Sequence, residues 1–357
     1  MAFEPYALCP EPVPVLCDAA GWDSIAKKLG GAAGPDSVDA AMARRMLTGY
    51  GKASAMLCEE LVEWAQWLAN ESPPWAAYRG MTTRRLLGLD KEPGTRPVGI
   101  GSIWLRGICK LLLAETADEA KSTCGATQLC AGCEAGIEGG IASVLKHVAK
   151  MSGKTNYVDG SVEEADLDGT AAEANSTTAT AEEEGTPAAA ATAAEEGAPA
   201  ATAAESTDDE ELPGTQEFPA AEHEDGPVVT DLVDANNGFN RLNRYAMLWT
   251  VRHRWASMAK FTFNMHRHFV RLILRRPGKS PYVILSKEGV IQGDPTSSYN
   301  YGIGLLPLGE RVKSEHPEVA SPAIADDWTL AGRAKDCAKA LATICCLGPK
   351  RGILCRG

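Results

Sequence analysis

Asp234, which closes the apolar run VVTDLVD, and the adjacent pair Asp326-Asp327 in PAIADDWTLAG are the side chains whose types and setting point to chemistry. A lone carboxylate at the end of an apolar strand is ordinarily a cap or an ion-pair partner. One plus two on neighbouring strands can instead hold two divalent cations for phosphoryl or nucleotidyl transfer, one activating the attacking oxygen and the other stabilising the leaving oxygen. Mg²⁺ prefers such hard oxygen ligands and keeps part of its shell for water and substrate phosphates. The reading requires that the segments carrying these residues be strands whose ends meet.

The elements that must position them are legible in outline. VVTDLV is β-branched and bounded by an Asn-Asn-Gly stretch, so it reads as a buried strand. FNRLNRYAMLWTVRHRW (239–255) and SMAKFTFNMHRHFVRLILRR (257–276) space their apolar residues as helices, the second ending at Pro277-Gly278. PYVILSKEGVIQG gives two short strands around Lys287, and Asp294-Pro295 suits an N-cap and first helical position. PAIA and WTLAG form a hairpin with Asp326-Asp327 at its tip, where Asp tolerates the left-handed region. Upstream, 52–70 reads as a helix, LLGLDK and TRPVGIG as a hairpin around Pro93-Gly94, and SIWLRGICKLLLAET and CEAGIEGGIASVLKHVAK as helices. Strand, helices, strands, helix and hairpin in that order make an α+β sheet with helices on one face.

At 357 residues and 45% apolar content the chain can bury a sizeable core. Its net charge of −12 hides an asymmetry. Residues 155–226 carry 20 acids and no Lys or Arg; setting these aside leaves 27 acids against 35 bases, a balance of +8. The body is therefore basic, which suits either a polyanion ligand or ordinary solvated charge. The acidic Ala/Glu/Thr-rich tract itself is too poor in large apolar side chains to offset ordering entropy and is expected to be disordered, as a competitor for the basic body or a passive insertion. An odd count of 11 cysteines and a start without a basic n-region or apolar h-region point to reduced thiols in a soluble intracellular protein of nucleus or cytoplasm, not a secreted one. No apolar run is long enough to span a bilayer. Cys130 and Cys133 form a CxxC near Cys124, but no second pair follows, so no zinc is expected.

DLVDANNGFN, GVIQGDPTSS and IADD together resemble motifs A, B and C of reverse transcriptases, in order. RPVGIGSIWLRGICK and TQLCAGCEAGIEGGI are similar to finger and palm segments of the non-LTR retrotransposon branch, and the likeness runs from about Gly21 to Gly357 around the acidic tract. The resemblance implies a right-hand polymerase: an N-terminal tail (1–20), fingers and the start of the palm (21–154), the insertion (155–227), and a palm with an antiparallel sheet (228–357) that breaks off before a thumb. It implies RNA-directed DNA polymerase activity on an RNA template, a DNA primer and dNTPs, with two Mg²⁺ (Mn²⁺ substituting) held by Asp234, Asp326 and Asp327. Asp231, three residues before Asp234, falls on the opposite strand face and is assigned to structure.

Carried over by position, Phe239 falls where a bulky side chain under the sugar excludes a 2′-hydroxyl; a core aromatic fits the pattern equally. Gln292 and Gly293 match the motif B pair that approaches base and template. Lys91 and Arg96, on the arms of the fingertip hairpin, could clamp a triphosphate, with Arg106 and Lys110 as lesser members. The acid-free stretch 241–279 nominates Arg252, Arg254, Arg267, Arg271, Arg275 and Arg276 for a nucleic-acid surface, or else a solvated helix face. Ile324 departs from the family's aromatic two residues before the acid pair. Two other readings stay open: an inactive nucleic-acid-binding remnant, and an RNA-dependent RNA polymerase, against which Phe239 argues.

Overall fold

In the computed structural model, which describes residues 10–90, 94–131, 136–153 and 226–354, the chain begins with two helices absent from the sequence expectation, α1 (Gly21–Lys28) and α2 (Ala40–Thr48). The Asp39 side chain caps α2 by accepting from the Met42 amide at 2.8 Å. α3 (Lys52–Asn70) covers the expected span and stops where the Asn70 side chain bonds both the N–H and the C=O of Val15. The short α4 (Trp75–Tyr78) leads to β1 (Arg84–Asp90) and β2 (Thr95–Ile100), the expected antiparallel hairpin. α5 (Ile103–Cys124) runs longer than its pattern suggested; Ile103, Leu105, Ile108, Leu111 and Leu112 are fully buried, each contributing roughly 1.5–3 kcal/mol by leaving water. α6 (Gly136–Met151) follows.

The chain divides into two units, Met1–Tyr157 with Glu222–Gly357, and Val158–Ala221. The second unit lies outside the described residues, so the expected disorder of the insertion does too.

Next come β3 (Val228–Asp234), the single-turn α7 (Gly238–Arg241), α8 (Arg244–Arg254) and α9 (Ala259–His266). The helix expected over 239–255 is thus broken at Leu242-Asn243, because the Asn243 side chain caps α8 by accepting from the Ala246 amide. The helix expected over 257–276 differs more: it ends at His266, and Val270–Arg276 is a strand, β4, paired with β5 (Lys279–Ser286) across a turn in which Gly278 has φ 64°. The apolar spacing in HFVRLIL fits either period, and pairing with β1 decides it. β5 is one strand rather than two: 287–296 is a loop leading to α10 (Ser297–Glu315), whose N-cap is Thr296 rather than Asp294. β6 (Ala323–Ile324), β7 (Asp327–Arg333) and α11 (Ala334–Leu347) complete the order.

The architecture is mixed α+β, with two sheets instead of one among the described residues. A four-stranded sheet has the order β2-β1-β4-β5, with β1 and β4 parallel; an antiparallel three-stranded sheet has the order β3-β7-β6. In the second sheet Val233, Trp328 and Leu330 point into the core, while Leu232, on the alternate face, is 82% exposed. α11 packs on the core face, where a Cβ on Gly332 would lie 3.6 Å from the Cys337 Sγ. α6 lies on the other side, with Gly140 close to Ile324, a residue that shares the face of its partner Asp327. Helices therefore touch both faces, not one.

Candidate active site

The β3–β7 register sets Asp234 directly opposite Asp327, so the two carboxylates stand side by side on one face of the sheet. Ile324 pairs with Asp327, which leaves Ala325-Asp326 as a two-residue loop. Asp326 is at the tip and Asp327 is the first residue of β7. The left-handed position belongs to Ala325, at φ 55°, and not to an aspartate as expected. That conformation is unfavourable for a residue with a Cβ. The buried Gln128 offsets it: its Oε1 accepts from the Ala325 amide at 2.8 Å, and its Nε2 donates to the Ala325 carbonyl at 3.2 Å. The Ala235 amide, just past Asp234, donates to the Asp326 carbonyl and ties the two strand ends together. Asp231 faces away from Asp234, toward Cys337, as its spacing required.

Electrostatically the three carboxylates act on one another. Burial pushes the Asp326 carboxyl up; its own backbone amide opposes this, Asp327 and Asp234 push it further, and Arg96 of β2 draws it down. Beneath them lies Tyr301 of α10, fully buried, with a hydroxyl that has no hydrogen-bond partner. Its phenol is held protonated first by burial and then by Asp326, Cys130, Asp327 and Asp234. Gly238 is the spacer: a Cβ there would lie 2.4 Å from the Tyr301 hydroxyl and 3.0 Å from the Asp326 Cβ. Phe239 stacks on Tyr301 with ring centroids 4.6 Å apart and planes within 10°. It is half-buried and packs against the core.

The loop before α10 is fastened to the fingertip hairpin. Gly99 of β2 donates to the Gln292 carbonyl at 2.9 Å, and the Gln292 Oε1 is buried without a partner. Gly293 has φ 100°, a conformation that excludes most side chains. Asp294 makes a 2.7 Å ion pair with Arg84 in which the two side chains are 2% and 7% exposed. It also accepts from the Thr296 amide and hydroxyl. Burial would raise the Asp294 carboxyl, but Arg84, with the Thr296 amide and His266, holds it below the usual carboxylate range. Lys91 lies outside the described residues; Arg96 is exposed on β2.

The basic stretch splits in two. Arg252 bonds the Pro10 carbonyl, Arg254 pairs with Glu310 at 2.8 Å, and Arg267 bonds the Tyr78 hydroxyl and the Pro73 carbonyl, so these three tie elements of the body together. Arg271, Arg275 and Arg276 are exposed on β4, which is a strand surface rather than the helix face expected. His266, at the end of α9, is buried. Arg106 and Lys110 donate to the backbone carbonyls of Gly30, Ala32 and Lys28. Cys130 is half-buried with its thiol donating to the Ser298 carbonyl, and Cys133 lies outside the described residues.

Sequence reasoning missed Gln128, Tyr301 and Arg84. Each acts on residues distant in the sequence, and the one local signal is the Arg84-Arg85 pair at the start of an otherwise apolar strand.

Among the described residues no group of three or more His, Cys, Asp or Glu side chains is close enough to hold a metal ion. The donor set nonetheless fits a hard divalent cation in kind: carboxylates only, with repulsion from Asp327 and Asp234 acting on Asp326, and with Asp234 exposed at the end of β3.

No protein-family model matches the chain, and no curated protein does. Among solved structures it is similar to telomerase from Candida albicans in complex with a fragment of telomeric RNA, at 8% identity and a TM-score of 0.44. The match covers 84% of this chain and 46% of that one, so the chain spans less than half of the other's length. A likeness this slight supports no functional assignment.

Proposed function

We propose that the chain is the fingers-and-palm part of a reverse transcriptase of non-LTR retrotransposon type, adding deoxynucleotides to a primer 3′-hydroxyl on an RNA template. The observation that carries the reading is the direct pairing of Asp234 with Asp327 beside Asp326, in a chain whose motifs run in the order expected for such a polymerase. Two Mg²⁺ ions, when bound by Asp234, Asp326 and Asp327, supply activation of the attacking oxygen and stabilisation of the leaving one. The chain's own residues do the positioning. Arg96 of β2 adds positive charge within electrostatic reach of Asp326, charge from which a bound triphosphate would gain. Phe239, braced from behind by Tyr301, is the wall that a 2′-hydroxyl would meet. Gln292 and Gly293, tied to β2 through Gly99, offer backbone close to base and template.

A binding-only reading is favoured by one observation, the lack of a closed three-ligand group among the described residues. Primer extension on an RNA template with Mg²⁺ separates the two. Extension with dNTPs that disappears in Asp326→Asn supports the polymerase. Salt-sensitive binding with no extension supports the binding protein, and extension with NTPs alone overturns the choice of deoxynucleotide.

A further inference from the structure

The outer edge of the four-stranded sheet is β5, whose pairing partner among the described residues is β4 alone. Tyr282, Val283, Ile284 and Leu285 follow one another along this strand, and each is 39–56% exposed. Side chains alternate across a strand, so the apolar run is bare on both faces as well as along its edge. Such an edge presents a row of unpaired N–H and C=O groups and is a template for pairing with another chain.

Charge decides which chain. Residues 270–287 carry Arg271, Arg275, Arg276, Lys279 and Lys287 and no acid. All five are exposed, and none has an ion-pair partner among the described residues. Arg276 lies over the Tyr282 ring, 5.8 Å from its centroid, and donates to the Ser280 carbonyl at 3.1 Å. Both contacts orient the guanidinium without cancelling its charge. A second copy is a poor occupant. Antiparallel self-pairing about Val283 sets Lys279 opposite Lys287, and pairing about Ile284 sets Pro281, which has no N–H, opposite Lys287. A nucleic acid suits the run no better, because phosphate contacts come from polar and charged groups and Val283, Ile284 and Leu285 offer none in their side chains. An extended peptide with acidic ends uses all three features: the backbone row, the apolar run and the flanking cations.

We propose that β5 is a docking edge for an extended segment of a partner protein, apolar in its middle and acidic at both ends, which adds to the sheet as a fifth strand. Main-chain hydrogen bonds along β5 hold the segment, and Tyr282, Val283, Ile284 and Leu285 receive its alternate side chains. Lys279 and Lys287, which flank the run, pair with its acids. The proposal does not depend on the polymerase reading.

Binding is measured on the full chain without nucleotides or divalent metal, so its outcome is independent of whether the chain extends a primer. The probe is a fluorescein-labelled decapeptide in which alternating Val and Thr stand between a pair of Glu at each end. Fluorescence anisotropy is expected to show saturable binding that is lost when Pro replaces each Thr, since Pro keeps the charge and removes the N–H groups. Lys279→Glu combined with Lys287→Glu is expected to weaken this peptide about tenfold and to strengthen a version with Lys in place of Glu by a similar factor. A misfolded variant would lose both peptides, so the swap separates lost charge from lost fold. No saturable binding up to about 1 mM peptide overturns the proposal, as does equal binding of the Pro version or a swap that moves neither peptide. Displacement of the peptide by an equimolar single-stranded RNA also overturns it, in favour of a polyanion surface. A concentration-dependent dimer in sedimentation that excess peptide leaves intact overturns it in favour of a second copy.

Discussion

Asp294→Asn removes one charge from the core and keeps the side-chain shape. In the folded chain Arg84 is 2% exposed and its Nη2 lies 2.7 Å from the Asp294 carboxylate. Breaking a buried pair by neutralising one partner leaves the other charge uncompensated, which costs about 3–5 kcal/mol. The cost here is expected at the low end, about 3 kcal/mol, because the amide oxygen of Asn can still accept from Thr296 and Arg84 keeps its bonds to the Met81 and Thr83 carbonyls. Urea unfolding followed by tryptophan fluorescence reads this as a midpoint lowered by about 1 M, with little change in slope. The companion variant, Arg84→Met with Asp294→Leu, removes both charges and is expected to recover most of the loss, since apolar replacement of a buried pair is often close to neutral. A loss below about 1 kcal/mol for Asp294→Asn would refute the reasoning. So would a double variant as unstable as the two single losses combined.

His266 is held neutral in the fold at a pKa of about 4, mainly by burial, then by Arg244 and Arg84, with the Thr262 carbonyl and Asp294 opposing. Its folded pKa is below the unfolded value of about 6.5, so the unfolded chain takes up the proton first; the contribution is whole above pH 6.5 and fades toward pH 4, by about 3 kcal/mol in total. His266→Gln should flatten the stability profile in that window, and an unaltered acid limb would count against it. Gly238→Ala brings a methyl to 2.4 Å from the Tyr301 hydroxyl and 3.0 Å from Asp326, so a loss of about 1–3 kcal/mol is expected together with loss of primer extension, read by melting and by the extension assay. Gly352→Ala would meet the Arg241 carbonyl oxygen at 1.7 Å with φ at 84°, whereas Gly278→Ala at φ 64° meets nothing within 4 Å; unfolding should therefore rank the first as far more damaging.

What the residues determine by themselves is local. The 3.6-residue spacing of Leu57, Leu61 and Leu68 marks α3, and the Gly94 turn marks the β1–β2 hairpin. The two-residue alternation is enough to put Asp231 and Asp234 on opposite faces of β3. The types of Asp234, Asp326 and Asp327, and the hairpin between two of them, are likewise legible without coordinates. Tertiary structure decided the rest. Val270–Arg276 has an apolar spacing compatible with helix or strand, and it becomes β4 because β1 offers an edge nearly two hundred residues earlier in the chain. Gln128 reaches Ala325 across 197 residues and Arg84 reaches Asp294 across 210, so neither tie leaves a trace in local periodicity. Tyr301 shows the same limit: on α10 it reads as one more core aromatic, and only the packing of α7, with Gly238 as spacer, brings its hydroxyl beneath the acids. Backbone propensity and side-chain period act over a few residues, whereas burial and charge pairing are settled by whichever distant segments the fold brings into contact.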